Sequence, residues 1–203
     1  MVGRVTAAIV LAGGRASRFG ADKLAAPLAD GRSVLSHAVT AVSAVATSVV
    51  VVLAPDAERP TGLPDTVSVV RDRQGYAGPL AGLAVGLEAI VEEIVIVVGG
   101  DMPVLEPAVL RRLVELVAVD PAIEAAQLES ERASPLPCAM RREPARGACG
   151  RARAAGDRRL RGCLERLATA TVPTHEWRAL DPGGRTLVDI DDPADLARLL
   201  AGE

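Results

Sequence analysis

Aromatic side chains are nearly absent from this sequence: Phe19, Tyr76 and Trp177 are the only three among 203 residues. A core must therefore be filled by Val, Leu, Ile and Ala, and a platform that stacks several nucleic-acid bases lacks its rings. Cysteine is also scarce. Cys138, Cys149 and Cys163 are odd in number and lack close ligand pairs, which argues against a disulfide framework or structural zinc and for a reducing compartment. No apolar run reaches the ~20 residues needed to cross a bilayer. The apolar start is broken by Gly13–Gly14, followed by Arg15 and Arg18, and carries no cleavage signal. The expected location is the cytoplasm, with no membrane partner. Charge of one sign is missing too, since the net formal charge is -3. Nucleic acid is accordingly not an expected partner. Arginines do cluster at Arg141–Arg142 and across Arg151–Arg161. They are read chiefly as solvated helix faces, with a local site for a phosphorylated partner as the alternative.

What the chain does have is apolar mass, 49% of positions, enough for one domain over residues 1–203 with a sizeable core. Thr6–Leu11, Val49–Leu53, Val67–Val70 and Ile94–Val98 are short continuous apolar runs that predict buried strands. Ser33–Ala46, Leu80–Ile90 and Ala108–Val119 predict helices between and after them. Strands apolar on both faces, alternating with helices, imply an α/β fold: a Rossmann-like three-layer sandwich with a mostly parallel central sheet. Further on, Ile123–Leu128, Leu136–Met140 and Thr186–Ile190 predict strands, Asp157–Thr169 a helix, and Pro193–Leu200 a final helix. Arg141–Gly156 reads as either a helix or a loop.

Ligands of such sheets sit beyond the C-terminal strand ends. Three polar clusters fall there: Gly13–Lys23, Asp72–Pro79 and Asp101–Pro103. The first reads LAGGRASRFGADK from Leu11. Glycines after a strand let the backbone turn and aim amides at an anion, and Arg15, Arg18 and Lys23 add three cations. The spacing is neither that of a Walker A loop nor that of a dinucleotide fingerprint. Lys23 is the single lysine against 22 arginines, and a compact mobile ammonium suits a triphosphate whose charge redistributes during reaction. In IVIVVGGDMP, Asp101 follows a strand and two glycines, where a carboxylate suits a magnesium ion also held by substrate phosphates. Late in the chain, VDIDDPADL brings Asp189 and Asp191 to one face of an extended segment. Either is a candidate for metal contact, with capping as the rival role. Asp192 reads as a helix N-cap. His37, inside an apolar helical stretch, reads as packed or capping, and neither it nor His175 identifies itself as a base.

The motifs LAGGRASRFGADK, GPLAGL at Gly78–Leu83, GGDMPVL at Gly99–Leu105, PLPCAM at Pro135–Met140, GDRRLRGCLERL at Gly156–Leu167 and VDIDDPADL resemble, in order, the molybdenum cofactor guanylyltransferases. The resemblance runs from Ala7 to about Leu200 and implies the nucleotidyltransferase type of the fold. It implies transfer of GMP from GTP to the phosphate of molybdopterin with release of pyrophosphate, Mg2+ as cofactor, and transient contact with cofactor-synthesis or acceptor proteins. It further implies that Leu11, Ala12, Gly13 and Gly14 contact the nucleotide, Lys23 its phosphates, Asp72 the nucleotide and Asp101 the metal, with Arg15 and Arg18 as secondary catalytic candidates. Asp72 is either an acceptor for guanine's N1 and amino protons or a structural turn residue. Ala54 and Pro55 are candidates to present backbone groups to the base. Two departures stand out: Gly99–Gly100 replaces stiffer residues before Asp101, and Asp189 and Asp191 stand where Asn is common. Cytidylyl or other nucleotidyl transfer to a different phosphorylated acceptor is the alternative activity. A nucleotide-binding regulatory protein without chemistry is the alternative class.

Overall fold

The computed structural model describes residues 6–13, 23–72, 78–131 and 135–201. Among these, seven strands form one sheet: β1 (Thr6–Ala12), β2 (Ser48–Leu53), β3 (Ser68–Arg71), β4 (Ile94–Gly99), β5 (Ala125–Leu128), β6 (Cys138–Arg141) and β7 (Thr169–Val172). Their spatial order is β3-β2-β1-β4-β6-β5-β7. Parallel pairing joins β1 to β2 and β4, β2 to β3, and β5 to β7, while β6 runs antiparallel to both neighbours. The sandwich is therefore mostly parallel, as the sequence predicts.

The strands are apolar on both faces because helices cover both. Successive residues of a strand point to opposite faces. Ala8, Val10, Val49, Val51, Ile96 and Val98 consequently join one buried layer, with Leu35 and Val39 of α1 (Val34–Ser43) and Leu110 and Leu113 of α3 (Pro107–Val119). Ala7, Ile9, Val50, Val52, Val95 and Val97 join the other, with Leu80, Leu83 and Leu87 of α2 (Pro79–Glu88), Ala148 and Cys149 of α4 (Arg142–Ala154) and Cys163 of α5 (Leu160–Leu164). Beyond these lie α6 (Thr174–Leu180) and α7 (Pro193–Ala201).

Local signals set the helix ends. The Ser33 hydroxyl accepts from the Ser36 N–H at 3.2 Å and caps α1. The Glu106 carboxylate accepts from the Ala108 N–H at 3.1 Å, ahead of Pro107 in the first turn of α3. Asp192 caps α7, accepting from the N–H groups of Ala194 (2.8 Å) and Asp195 (3.0 Å).

The downstream half departs from the sequence reading in three places. Asp157–Thr169 is not one helix: α5 is five residues long, and Thr169 already opens β7. The polar TATV of β7 pairs on one side only, so it lacks the continuous apolar run that marks the central strands. Thr186–Ile190 is not a strand. It begins in a 3₁₀ turn, Arg185–Leu187, and continues as an extended connection without a ladder. Helix α6 was hidden by its seven-residue length. The open choice over Arg141–Gly156 resolves as helix α4.

Arg141 and Arg142 are not on a solvated helix face. The Arg141 guanidinium is buried, donating to the carbonyls of Val117 (2.6 Å) and Ile123 (3.1 Å) and pairing with Glu93. Arg142 donates to the Leu87 carbonyl at 3.2 Å. The two thereby neutralise the carbonyl-rich C-terminal ends of α3 and α2. A cavity of about 320 Å³ beside them, lined by Val91, Glu92 and Glu143 among others, lies at the N-terminal end of β4. That is the edge opposite the predicted ligand crevice.

Candidate active site

Register brings the four parallel strands to a common edge. Ala12 pairs with Leu53, Leu53 with Arg71, and Leu11 with Gly99. Gly13, Ala54, Asp72 and Gly100–Asp101 therefore leave the sheet side by side. The exits are stitched together by backbone bonds: the Gly100 N–H donates to the Leu11 carbonyl (2.9 Å), and the Asp72 N–H to the Leu53 carbonyl (3.0 Å). A Cβ on Gly13 would lie 3.4 Å from the Ala54 nitrogen, so the exits of β1 and β2 approach closely. Asp72 and Asp101 are three strand spacings apart across this edge, about 14 Å at the usual interstrand distance.

At the β4 end the chemistry converges on one ammonium. Lys23 opens a 3₁₀ turn, Lys23–Ala25. Its Nζ donates to Asp101 Oδ2 at 2.8 Å and to the Ile190 carbonyl at 2.8 Å, and it lies 3.4 Å from Asp191 Oδ1. Residues far apart in sequence thus meet at one point. A second contact locks the late segment in place, because the Ile190 N–H donates to the Asp101 carbonyl at 2.9 Å. Burial opposes charge on Lys23, but hydrogen bonding and attraction to Asp101, then Asp191, outweigh it and raise its pKa. Lys23 is a cation throughout the neutral range.

The glycines before Asp101 have a steric reason. A Cβ on Gly99 would collide with Asp101 Oδ1, and one on Gly100 would press on Leu35 (3.1 Å) and Ala12 (3.2 Å). The departure noted in the sequence is thus compatible with the carboxylate folding back over the strand end. Asp101 and Asp191 offer hard oxygens, their side chains 28% and 63% exposed. Asp101, Asp191 and the Ile190 carbonyl form an all-oxygen set that fits a divalent ion of the magnesium class.

The remaining predicted residues are distributed as follows. Leu11 and Ala12 end β1, with Gly13 immediately after. Asp72 is buried at the β3 exit and has interactions of its own. Asp189 lies in the unpaired connection immediately before Ile190, half-buried and with an interaction of its own. Gly14, Arg15 and Arg18 lie outside the described residues. His37 bonds Asp30 Oδ1 at 3.0 Å through Nε2, away from the Lys23 cluster. The sequence reading missed the Ile190 backbone, which has no signature because any residue carries the same N–H and C=O.

A mostly parallel sheet with a lysine and two carboxylates gathered beyond the C-terminal ends of its central strands is compatible with a nucleotidyltransferase. The chain belongs to the MobA-like NTP transferase domain family, whose model matches residues 8–172. It is 34% identical over 191 residues to a probable molybdenum cofactor guanylyltransferase from Chloroflexus aggregans, covering 93% of this chain and 90% of that protein. A protein of the same description from Natronomonas pharaonis is 31% identical over 198 residues, 94% of each. Among solved structures, molybdopterin-guanine dinucleotide biosynthesis protein A from Archaeoglobus fulgidus shares the fold, with a TM-score of 0.80, 24% identity and 97% of each chain covered. Among the described residues no helix is long and apolar enough to cross a membrane.

Proposed function

We propose that this chain transfers GMP from GTP to the terminal phosphate of molybdopterin, releasing pyrophosphate, with Mg2+ as its divalent ion. The observation that carries this reading is the meeting of Lys23, Asp101 and Asp191 at the strand edge. The guanylyltransferase relatives, matched over most of the chain, supply the choice of substrates.

In the reaction an oxygen of the acceptor phosphate attacks the α-phosphorus of GTP. A new P–O–P linkage forms, the bond to the bridging oxygen of the β-phosphate breaks, and pyrophosphate leaves with its electron pair. A phosphate monoester is largely ionised near neutral pH, so the attack requires no dedicated general base. That agrees with His37 being engaged by Asp30 rather than by the Lys23 cluster. The protein's task is to align two anions and offset their repulsion. Asp101 and Asp191 would hold Mg2+, which when bound supplies charge neutralisation on the phosphates. Lys23 would serve the same phosphates. Asp72, about 14 Å away across three strands, would accept from guanine's N1 and amino group, with the backbone after β2 beside it. Gly13 and Gly14 would place amides toward the phosphates, with Arg15 and Arg18 as further cations.

Binding of GTP, CTP, ATP and UTP in the presence of Mg2+ tests the base assignment, and preference for CTP would reject it. Pyrophosphate release from GTP with molybdopterin tests the acceptor. Asp101→Asn should lower that rate by about 10²-fold or more, as expected for loss of a metal ligand at a phosphoryl centre. A near-normal rate would remove Asp101 from the mechanism.

A further inference from the structure

An ammonium has three protons to donate. Those of Lys23 face Asp101 Oδ2, the Ile190 carbonyl and Asp191 Oδ1. None is left for a nucleotide phosphate. The same three oxygens are the donor set that a hard divalent cation would use. A divalent ion drawn to these oxygens would meet the ammonium at close range, and the two like charges repel. The backbone around Lys23 is tied down, with the Ala26 N–H on the Lys23 carbonyl at 3.3 Å and Leu24 packed against the core. A change of partner therefore falls to the four-carbon side chain, which is flexible enough to make it.

We propose that Lys23 is the resident cation of this site: in the nucleotide-free protein its ammonium occupies the oxygen cluster and competes with divalent metal, and a bound triphosphate opens the cluster by drawing Lys23 away. This inference rests on reading the site as a triphosphate site. Lys23 pairs with both Asp101 and Asp191 and so offsets the repulsion between the two carboxylates. It also makes metal and nucleotide binding mutually reinforcing, because whatever factor the nucleotide adds to metal affinity the metal must return. The protein would consequently take up its metal together with nucleotide and stay largely metal-free between turnovers.

The test measures Mn2+ binding to the full chain without nucleotide, by loss of the free-ion electron paramagnetic resonance signal. Wild type, Lys23→Met, Lys23→Arg and Lys23→Met/Asp101→Asn are compared. Lys23→Met should bind Mn2+ at least about tenfold more tightly than wild type, because two ion pairs no longer have to be broken. Lys23→Arg, which keeps the charge, should stay close to wild type, and adding Asp101→Asn should abolish the gain. Equal binding by wild type and Lys23→Met would overturn the proposal, as would a gain that survives Asp101→Asn. A second readout uses the intact protein. Because Lys23 is the only lysine, ¹⁵N-lysine labelling yields one side-chain ammonium resonance. That resonance should shift when GTP and Mg2+ are added together, and no movement would also refute the exchange. If the Mn2+ pattern holds while GTP and molybdopterin release no pyrophosphate, the substrate assignment fails and the resident cation stands. If pyrophosphate is released while wild type and Lys23→Met bind Mn2+ equally, the substrate assignment stands and the resident cation fails.

Discussion

Gly78 offers a direct test of how α2 is set against the crevice. Its backbone has φ 92° and ψ 170°, a region essentially reserved for glycine. An added Cβ would lie 2.7 Å from the Arg158 carbonyl oxygen and 2.9 Å from the Arg158 Cβ. The obstacle is backbone, so no rotamer change relieves it. That same carbonyl accepts from the Leu80 N–H at 3.2 Å, holding the start of α2 against the segment before α5. Gly78→Ala should therefore incur about 1–3 kcal/mol of backbone strain and up to ~1 kcal/mol from the weakened hydrogen bond. A loss of about 3 kcal/mol corresponds to a fall in Tm of roughly 6–12 °C for a chain of this size. Gly31 is the matched control, with φ 79° but nothing within 4 Å of its Cβ position. Gly31→Ala should lose only the backbone component, about 1–2 kcal/mol. Scanning calorimetry of both variants separates the two contributions. Equal Tm values would show that the Arg158 contact has no energetic weight and would refute the steric account of Gly78.

Asp181 should give an acid-side signature. Burial pushes its carboxyl pKa up, but hydrogen bonds from Thr186, including its N–H at 2.7 Å, and attraction to Arg178 prevail and lower it. Its contribution is complete above its unfolded pKa near ~3.9 and disappears as pH falls through the lower folded value. Asp181→Asn should destabilise the protein by about 1–2 kcal/mol at neutral pH and flatten denaturant stability between roughly pH 4 and 2; an unchanged slope would refute the assignment. The Cys138 thiol should behave oppositely. Burial pushes the Cys138 thiol up to about 12 from an ordinary 9.0. Its contribution is therefore complete below about pH 9 and lost as pH rises toward 12. Cys138, Cys149 and Cys163 are all buried, so a water-soluble disulfide reagent at pH 8 should count three thiols only after unfolding. A fast-reacting equivalent in the native protein would contradict the packing.

The first hundred residues were legible because their strands are short apolar runs and three of the four exit onto polar clusters. Burial on both faces of a parallel sheet leaves that pattern in the sequence, and the sheet then forces Gly13, Asp72 and Asp101 to one edge. The second half was harder for a physical reason. β5 and β7 have four residues each, β7 is polar, and α5 and α6 fall below the length at which helical periodicity shows. The arginines at 141 and 142 misled because a guanidinium that caps helix carbonyls looks, in sequence, like one in solvent. Within the site, the side chains of Lys23, Asp101 and Asp191 could be picked out by type. Their pairing could not, because it depends on a late connection that follows no regular element. The part of Ile190 was invisible to any reading of side chains.

That last contact has a consequence for which substitutions the protein can accept. Residue 190 holds the two halves of the crevice through its peptide atoms, giving its N–H to Asp101 and its carbonyl to Lys23, while its side chain is buried. Valine or leucine there would preserve both links. Proline has no N–H to give. The latch itself uses no side-chain atom yet is intolerant of one imino acid, and burial alone would keep drift at this position apolar and conservative in bulk, without any trace of the Lys23–Asp101 contact it supports.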